Sequence, residues 1–209
     1  MALDLLTAVV LALVGTRLAV AARYAVREGP RRRAAQVVMG LRVRHFALAL
    51  PVLAAVVATA IVLLQVPGLS FGWWTAIGGV GNPVIGTSQR AGGAAGWIVP
   101  ALFLAMLVPA LPLLVEREER IFRVGSERRS RAGRVRRGVF FGMVHALVGI
   151  PIAAALALSV GGWYLTWAYL RGWRAGGPEA GLLESTRAHL AYNLIIVATV
   201  VLALVGGGQ

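Results

Sequence analysis

The chain has 209 residues, 58% of them hydrophobic and only 14% charged, with a mean hydropathy of +0.77 and a formal net charge of +13. A soluble domain of that length would not carry so much apolar surface. The absence of cysteine excludes disulfides, thiolate catalysis and cysteine-ligated metal.

All 21 basic residues are arginine, a usage expected of GC-rich bacterial coding. They cluster between apolar runs, as loops flanking membrane spans do, which argues against a nucleic-acid partner despite the net charge. The expected architecture is all-α: a polytopic transmembrane helical bundle of about six spans, with residues 1–209 forming one integral membrane domain.

In chain order, the first span is expected at 5–24. It follows Met1-Ala2-Leu3-Asp4, which lacks the basic start of a signal peptide, so the run reads as a retained helix. The second is expected at 46–66. The third, 97–115, continues as a helix beyond its apolar part. Residues 138–170 are long enough for two short or tilted spans, with a break near Gly149–Pro151 because proline cannot donate to a continuing helix. The last is expected at 184–205. Between the second and third spans, the Gly-rich stretch 67–96 reads as a headgroup-level loop anchored by Trp73 and Trp74, with a re-entrant segment as the alternative. Trp163 and Trp167 share a face of the fifth span and read as packing or interfacial residues.

The arginine distribution orients this topology. Seven Arg fall in 23–44, nine in 116–137 and three in 171–187, against Arg90 alone on the opposite side. The three basic segments are therefore expected in the cytoplasm, with both termini outside, in a multi-pass protein of a bacterial inner membrane. Arg17 lies near the cytoplasmic end of the first span, within snorkelling reach of the headgroups, and the basic loops would meet the anionic lipids of the bilayer.

Three polar patterns interrupt the apolar runs: Glu118-Glu119…Arg123, Phe141…His145 and His189…Asn193. Each places its outer members on one helical face, and ionisable groups inside membrane segments are costly enough to mark function. At 1.5 Å per residue, His145 lies about 10 Å into the fourth span and His189 and Asn193 about 8–14 Å into the last, with the glutamates slightly shallower. All enter from the cytoplasmic side, so one shared cavity is geometrically reasonable. Adjacent glutamates point about 100° apart on a helix. Glu119 pairs with Arg123 in the favourable acid-before-base order, which leaves Glu118 to face a neighbouring helix. Singly, each pattern has a plain alternative: a solvated interfacial helix, a histidine bonded to a carbonyl, or polar helix packing.

In that order the motifs resemble the family of CAAX proteases and bacteriocin-processing enzymes, CPBP or Abi, whose members share EExxxR, FxxxH and HxxxN on successive membrane helices. The chain reads LPLLVEREERIFRVG, GVFFGMVHAL and STRAHLAYNLI at those places, and the resemblance covers about 97–205 as a catalytic core. It implies an intramembrane glutamate-dependent endopeptidase with no cofactor, acting on a peptide or membrane-protein substrate. Glu118 would activate water with His145 helping to hold it, and Glu119 and Arg123 would support the first glutamate. His189 and Asn193 would stabilise the oxyanion, and Phe141 would be structural. Glu116 and Arg117 depart from the apolar residues usual before the motif, which would set the pair closer to water and leaves open which glutamate is the base. The segment LRGWRAGGPEAGLLES is longer and more Gly-rich than the family's turn.

Other intramembrane protease types fail on composition. The only aspartate is Asp4, HExxH is absent, and there is no suitable GxSxG. Two alternatives remain on the same fold: a zinc variant held by His145, His189 and Glu118, and a non-proteolytic scaffold, immunity or transporter-associated protein.

Overall fold

A computed structural model describes residues 2–78 and 93–206. Among these residues the architecture is entirely helical, consisting of α1 (Ala2–Ala25), α2 (Glu28–Met39), α3 (Val43–Leu64), the single turn α4 (Trp73–Ala76), α5 (Gly93–Phe122), α6 (Arg131–Val144) and α7 (Ile152–Gly206). Short 3₁₀ turns at Ser126–Arg128 and His145–Val148 flank α6. The helices pack as a bundle around small clusters of apolar side chains. One of these joins Phe122, Phe141, Leu165, Ala168 and Ala188, and another joins Val37, Leu111, Val115 and Leu190. Much of the large apolar surface faces outward: Leu13, Val62, Leu102 and Leu202 are all more than half exposed. That inversion suits a hydrocarbon surround.

Among the described residues four helices are long and apolar enough to cross a membrane, at Ala8–Ala25, Val43–Leu64, Pro100–Arg128 and Ile152–Leu202. The count differs from the six expected, for two reasons visible in the chain. The expected fourth span is absorbed into α6, a 14-residue helix whose first half carries Arg131, Arg134, Arg136 and Arg137. The expected fifth and sixth lie within α7, which bends at Gly176–Gly177 into arms of 152–175 and 178–206. Gly177 sits at φ 76°, ψ −165°, a region open essentially to glycine alone. Pro178, with its preset φ and no N–H to leave unbonded, then starts the second arm. The Gly-rich segment that departs from the family's turn thus makes a tight helical hairpin. Its arms touch backbone to backbone: a Cβ on Gly172 would fall 2.6 Å from the Ala180 carbonyl oxygen and one on Gly181 2.9 Å from that of Tyr169.

The expected break near Gly149–Pro151 is present, with Gly149 at φ 92° ending the second 3₁₀ turn. Here the chain meets the segment after α3, where Ile152 N–H donates to the Phe71 carbonyl at 2.9 Å and Ala153 N–H to that of Leu69 at 2.8 Å. Trp73 Nε1 donates to the Leu147 carbonyl at 3.2 Å, and Trp74 is buried at 1% exposure. Trp74 is therefore an interior packing residue, not a headgroup anchor. The rest of the expected outer loop, 79–92, lies outside the described residues, as do 207–209. On α7, Trp163 and Trp167 are part-exposed, as expected. The Trp163 indole N–H bonds the Val135 carbonyl, and Trp167 stacks on Tyr164.

The segment expected to be a cytoplasmic loop, 23–44, contains α2, docked on the bundle through Val37. Its C-terminal carbonyl at Gln36 accepts from Arg187 of α7, which satisfies one of the orphan acceptors of a helix end. His45, wholly buried, accepts the Arg42 N–H at the start of α3 through Nδ1. Arg44 and His45 both reach Glu184, at 3.0 and 3.5 Å. Those contacts fix the second arm of α7 against α3 and set the rotation of the face that carries Ser185, His189 and Asn193.

Candidate active site at the end of α5

The last two turns of α5 carry charge after six turns of apolar sequence, and successive residues there face different neighbours. Glu116 turns toward α1 and α2, where Arg33 grips both its oxygens at 2.8 and 3.0 Å and Arg120 bonds from the next turn at 2.6 Å. Glu116 thus anchors α2 to α5. Glu116 is itself buried.

Glu119 points the other way, into the bundle, with no exposed surface. Arg123, one turn on and equally buried, places Nε 3.3 Å from its Oε2. His189 from the second arm of α7 places Nδ1 2.9 Å from Oε1. With the carboxylate paired to a guanidinium, the imidazole is the donor in that bond, which fixes Nδ1 as N–H and turns Nε2 toward Glu118. Arg123 also reaches Thr166 Oγ1 at 3.5 Å, and that hydroxyl bonds back to the Gly162 carbonyl.

Glu118 is what remains. Its side chain is 43% exposed, and its Oε2 lies 3.9 Å from His189 Nε2. That separation is too long for a direct hydrogen bond and short enough for one water to touch both groups. Among the described residues nothing hydrogen-bonds Glu118, whereas Glu116, Glu119 and Glu184 are each held by cations. The spacing argument that Glu119 takes Arg123 and leaves Glu118 free is matched by these contacts.

The Phe141 ring is the hub of the site. The Arg123 guanidinium carbon sits 4.5 Å from its centroid, a buried cation–π contact. Phe122, His145 and His189 meet it edge-on, at 5.2, 5.0 and 5.7 Å. His145 Nδ1 donates to the Phe141 carbonyl at 2.8 Å, which leaves its Nε2 as the free nitrogen. The site is brought within reach by glycines on α6. A Cβ on Gly142 would fall 2.3 Å from the Ala155 carbonyl oxygen, and one on Gly138 2.2 Å from the Trp163 ring.

Glu118, Glu119, Arg123, Phe141, His145 and His189 thus form one connected group. Asn193 is half-buried one turn beyond His189 on the same face, and among the described residues it makes no hydrogen bond to the others. His189, not His145, is the histidine in ion-pair range of Glu118. Among the described residues no three acidic or histidine side chains converge as metal ligands, so the donor geometry of the zinc variant is not assembled. Two partners escaped sequence reasoning: Thr166, and Phe122 as a second aromatic wall. The single threonine in the apolar run 152–170 was the available signal for Thr166. Compared with protein-family models, with curated proteins and with solved structures, the chain matches none.

Proposed function

We propose that the chain is an intramembrane endopeptidase, of the CPBP kind that its motifs resemble, in which Glu118 activates the attacking water. The observation that carries this reading is the asymmetry of the two glutamates. Glu119 is buried, ion-paired and bonded to His189, while Glu118 is open, unbonded and 3.9 Å from the free nitrogen of that same histidine. A general base must be accessible and within reach of a water. Its positioning group must be held rigidly, as the Arg123–Glu119–His189 chain is.

In this mechanism Glu118 takes a proton from the water as its oxygen bonds to the scissile carbonyl carbon. The tetrahedral oxyanion is met by the Asn193 amide and by His189, which donates from Nε2 when that nitrogen carries a proton, both on one face. Collapse breaks the C–N bond, and Glu118 returns the proton to the leaving amine. His145, across the Phe141 ring, accepts from water at Nε2.

The same reading places six passes in a bacterial inner membrane, with the basic segments cytoplasmic and cleavage near that face. Supporting this, the chain from Arg131 to Val148 runs as α6 and its 3₁₀ turn, with the arginines in the first half and the apolar residues in the second. The turn that follows bonds to the segment after α3, at the far end of the bundle from the arginines. The partners are the bilayer and a peptide or membrane-protein substrate.

The test compares membrane peptide abundance and in vitro cleavage for wild type and Glu118→Gln in proteoliposomes. The expected result is a folded Glu118→Gln protein with cleavage reduced at least about 100-fold, the usual scale for loss of general-base catalysis. A Glu118→Gln protein that keeps both cleavage and cellular phenotype removes the glutamate mechanism. Retained phenotype without any cleavage in wild type would favour a scaffold or immunity role.

A further inference from the structure

We propose that the groove between α1, α2 and α5 is a specific binding site for an anionic phospholipid. This inference does not depend on the protease reading. The groove encloses about 900 Å³, within the range of small-molecule sites. Val20 and Ala21 of α1 and Leu113 and Leu114 of α5 form apolar walls, and Arg17 and Arg117 project into it.

The lining also includes Glu116, but Arg33 and Arg120 both bond that carboxylate. The groove therefore presents four guanidiniums against one acid. Among the described residues Arg17 and Arg117 have no ion pair or hydrogen bond of their own.

An apolar wall ending in unneutralised arginines complements an amphiphile with a negative headgroup, and matches neither a soluble anion nor a neutral lipid. Arg17 lies eight residues before the end of α1 at Ala25, about 12 Å along the axis. A guanidinium at that depth in an apolar helix gains more from a lipid phosphate than from bare hydrocarbon. The acyl chains would continue along the outward face of α1, where Val9 and Leu13 are exposed. A lipid seated there would bridge α1 to α5, the helix that presents Glu118.

The experiment is native mass spectrometry of the purified full chain, titrated with phosphatidylglycerol, phosphatidylcholine or glycerol 1-phosphate. Three proteins are compared: wild type, Arg17→Ala/Arg117→Ala, and a control of equal charge loss on α6, Arg131→Ala/Arg136→Ala. Wild type and control are expected to retain one phosphatidylglycerol in preference to phosphatidylcholine. The groove variant is expected to bind it about 10- to 30-fold more weakly, the effect of removing two juxtamembrane cations. Equal retention of both lipids by wild type would overturn the proposal, as would equal losses in the groove variant and the control. Glycerol 1-phosphate binding as tightly as the lipid would make this a soluble-anion site and overturn it too. If the double variant does not fold, Arg17→Gln alone and the wild-type lipid preference decide the matter by the same criteria.

Discussion

Replacing Arg123 by methionine tests the buried framework directly. Both Arg123 and Glu119 have no exposed side-chain surface and lie 3.3 Å apart. Removing the cation strands a carboxylate left with only the neutral donors His189 and Ser185, at a cost of about 3–5 kcal/mol for breaking a buried pair. The loss of the cation–π contact to Phe141, at 4.5 Å, acts in the same direction. For a chain of this size the sum corresponds to a fall in Tm of roughly 6–20 °C. The double variant Glu119→Gln/Arg123→Met should recover at least about 1–2 kcal/mol over Arg123→Met, since a neutral amide still bonds His189 and no charge is stranded. Glu118→Gln should change stability by less than about 0.5 kcal/mol, because that side chain is substantially solvated. Thermal unfolding in detergent, followed by tryptophan fluorescence, reads all of these variants. The reasoning fails if Arg123→Met unfolds within about 1 kcal/mol of wild type, or if the double variant is no more stable than that single one.

Other consequences follow from the packing around the site. Gly142→Ala forces a methyl to within 2.3 Å of the Ala155 carbonyl oxygen, so it should cost about 1–3 kcal/mol. It should also lower cleavage by displacing Phe141 and His145; Gly161→Ala, with nothing within 4 Å of the new carbon, should do neither, as melting curves and turnover will show. Phe141→Leu removes the surface shared by Arg123, His145 and His189, and a loss of about 1–2 kcal/mol is expected. Its cleavage rate should fall further than a loss in folded fraction explains, which single-turnover assays on the folded protein would detect. Treatment with 1,10-phenanthroline should leave cleavage unchanged; inhibition reversed by added zinc would instead reinstate the His145–His189–Glu118 metal reading.

Several features were legible without coordinates because they are local. The hydropathy runs, the break at Gly149–Pro151 and the extension of α5 past its apolar part each depend on residues within a few turns of one another. So does the i,i+4 pairing of Glu119 with Arg123, whose outcome follows from the 100° step of a helix. The helix boundaries after Arg131 were less legible. A 14-residue α6 and a hairpin at Gly176–Gly177 depend on backbone approach through Gly138, Gly142, Gly172 and Gly181, and hydropathy does not measure that.

The order of charges and apolar runs by itself determined that this is a helical membrane protein and which few ionisable side chains interrupt its apolar runs, because burial of charge in hydrocarbon is expensive wherever it occurs. Only the tertiary structure decided which of them meet. It joined Arg33 to Glu116 and Arg44 to Glu184, rotated α7 so that His189 and not His145 stands beside Glu118, and gathered four side chains around one phenylalanine ring. Those outcomes rest on how helices far apart in the chain are turned against each other, and that rotation is set by the packing of their facing surfaces.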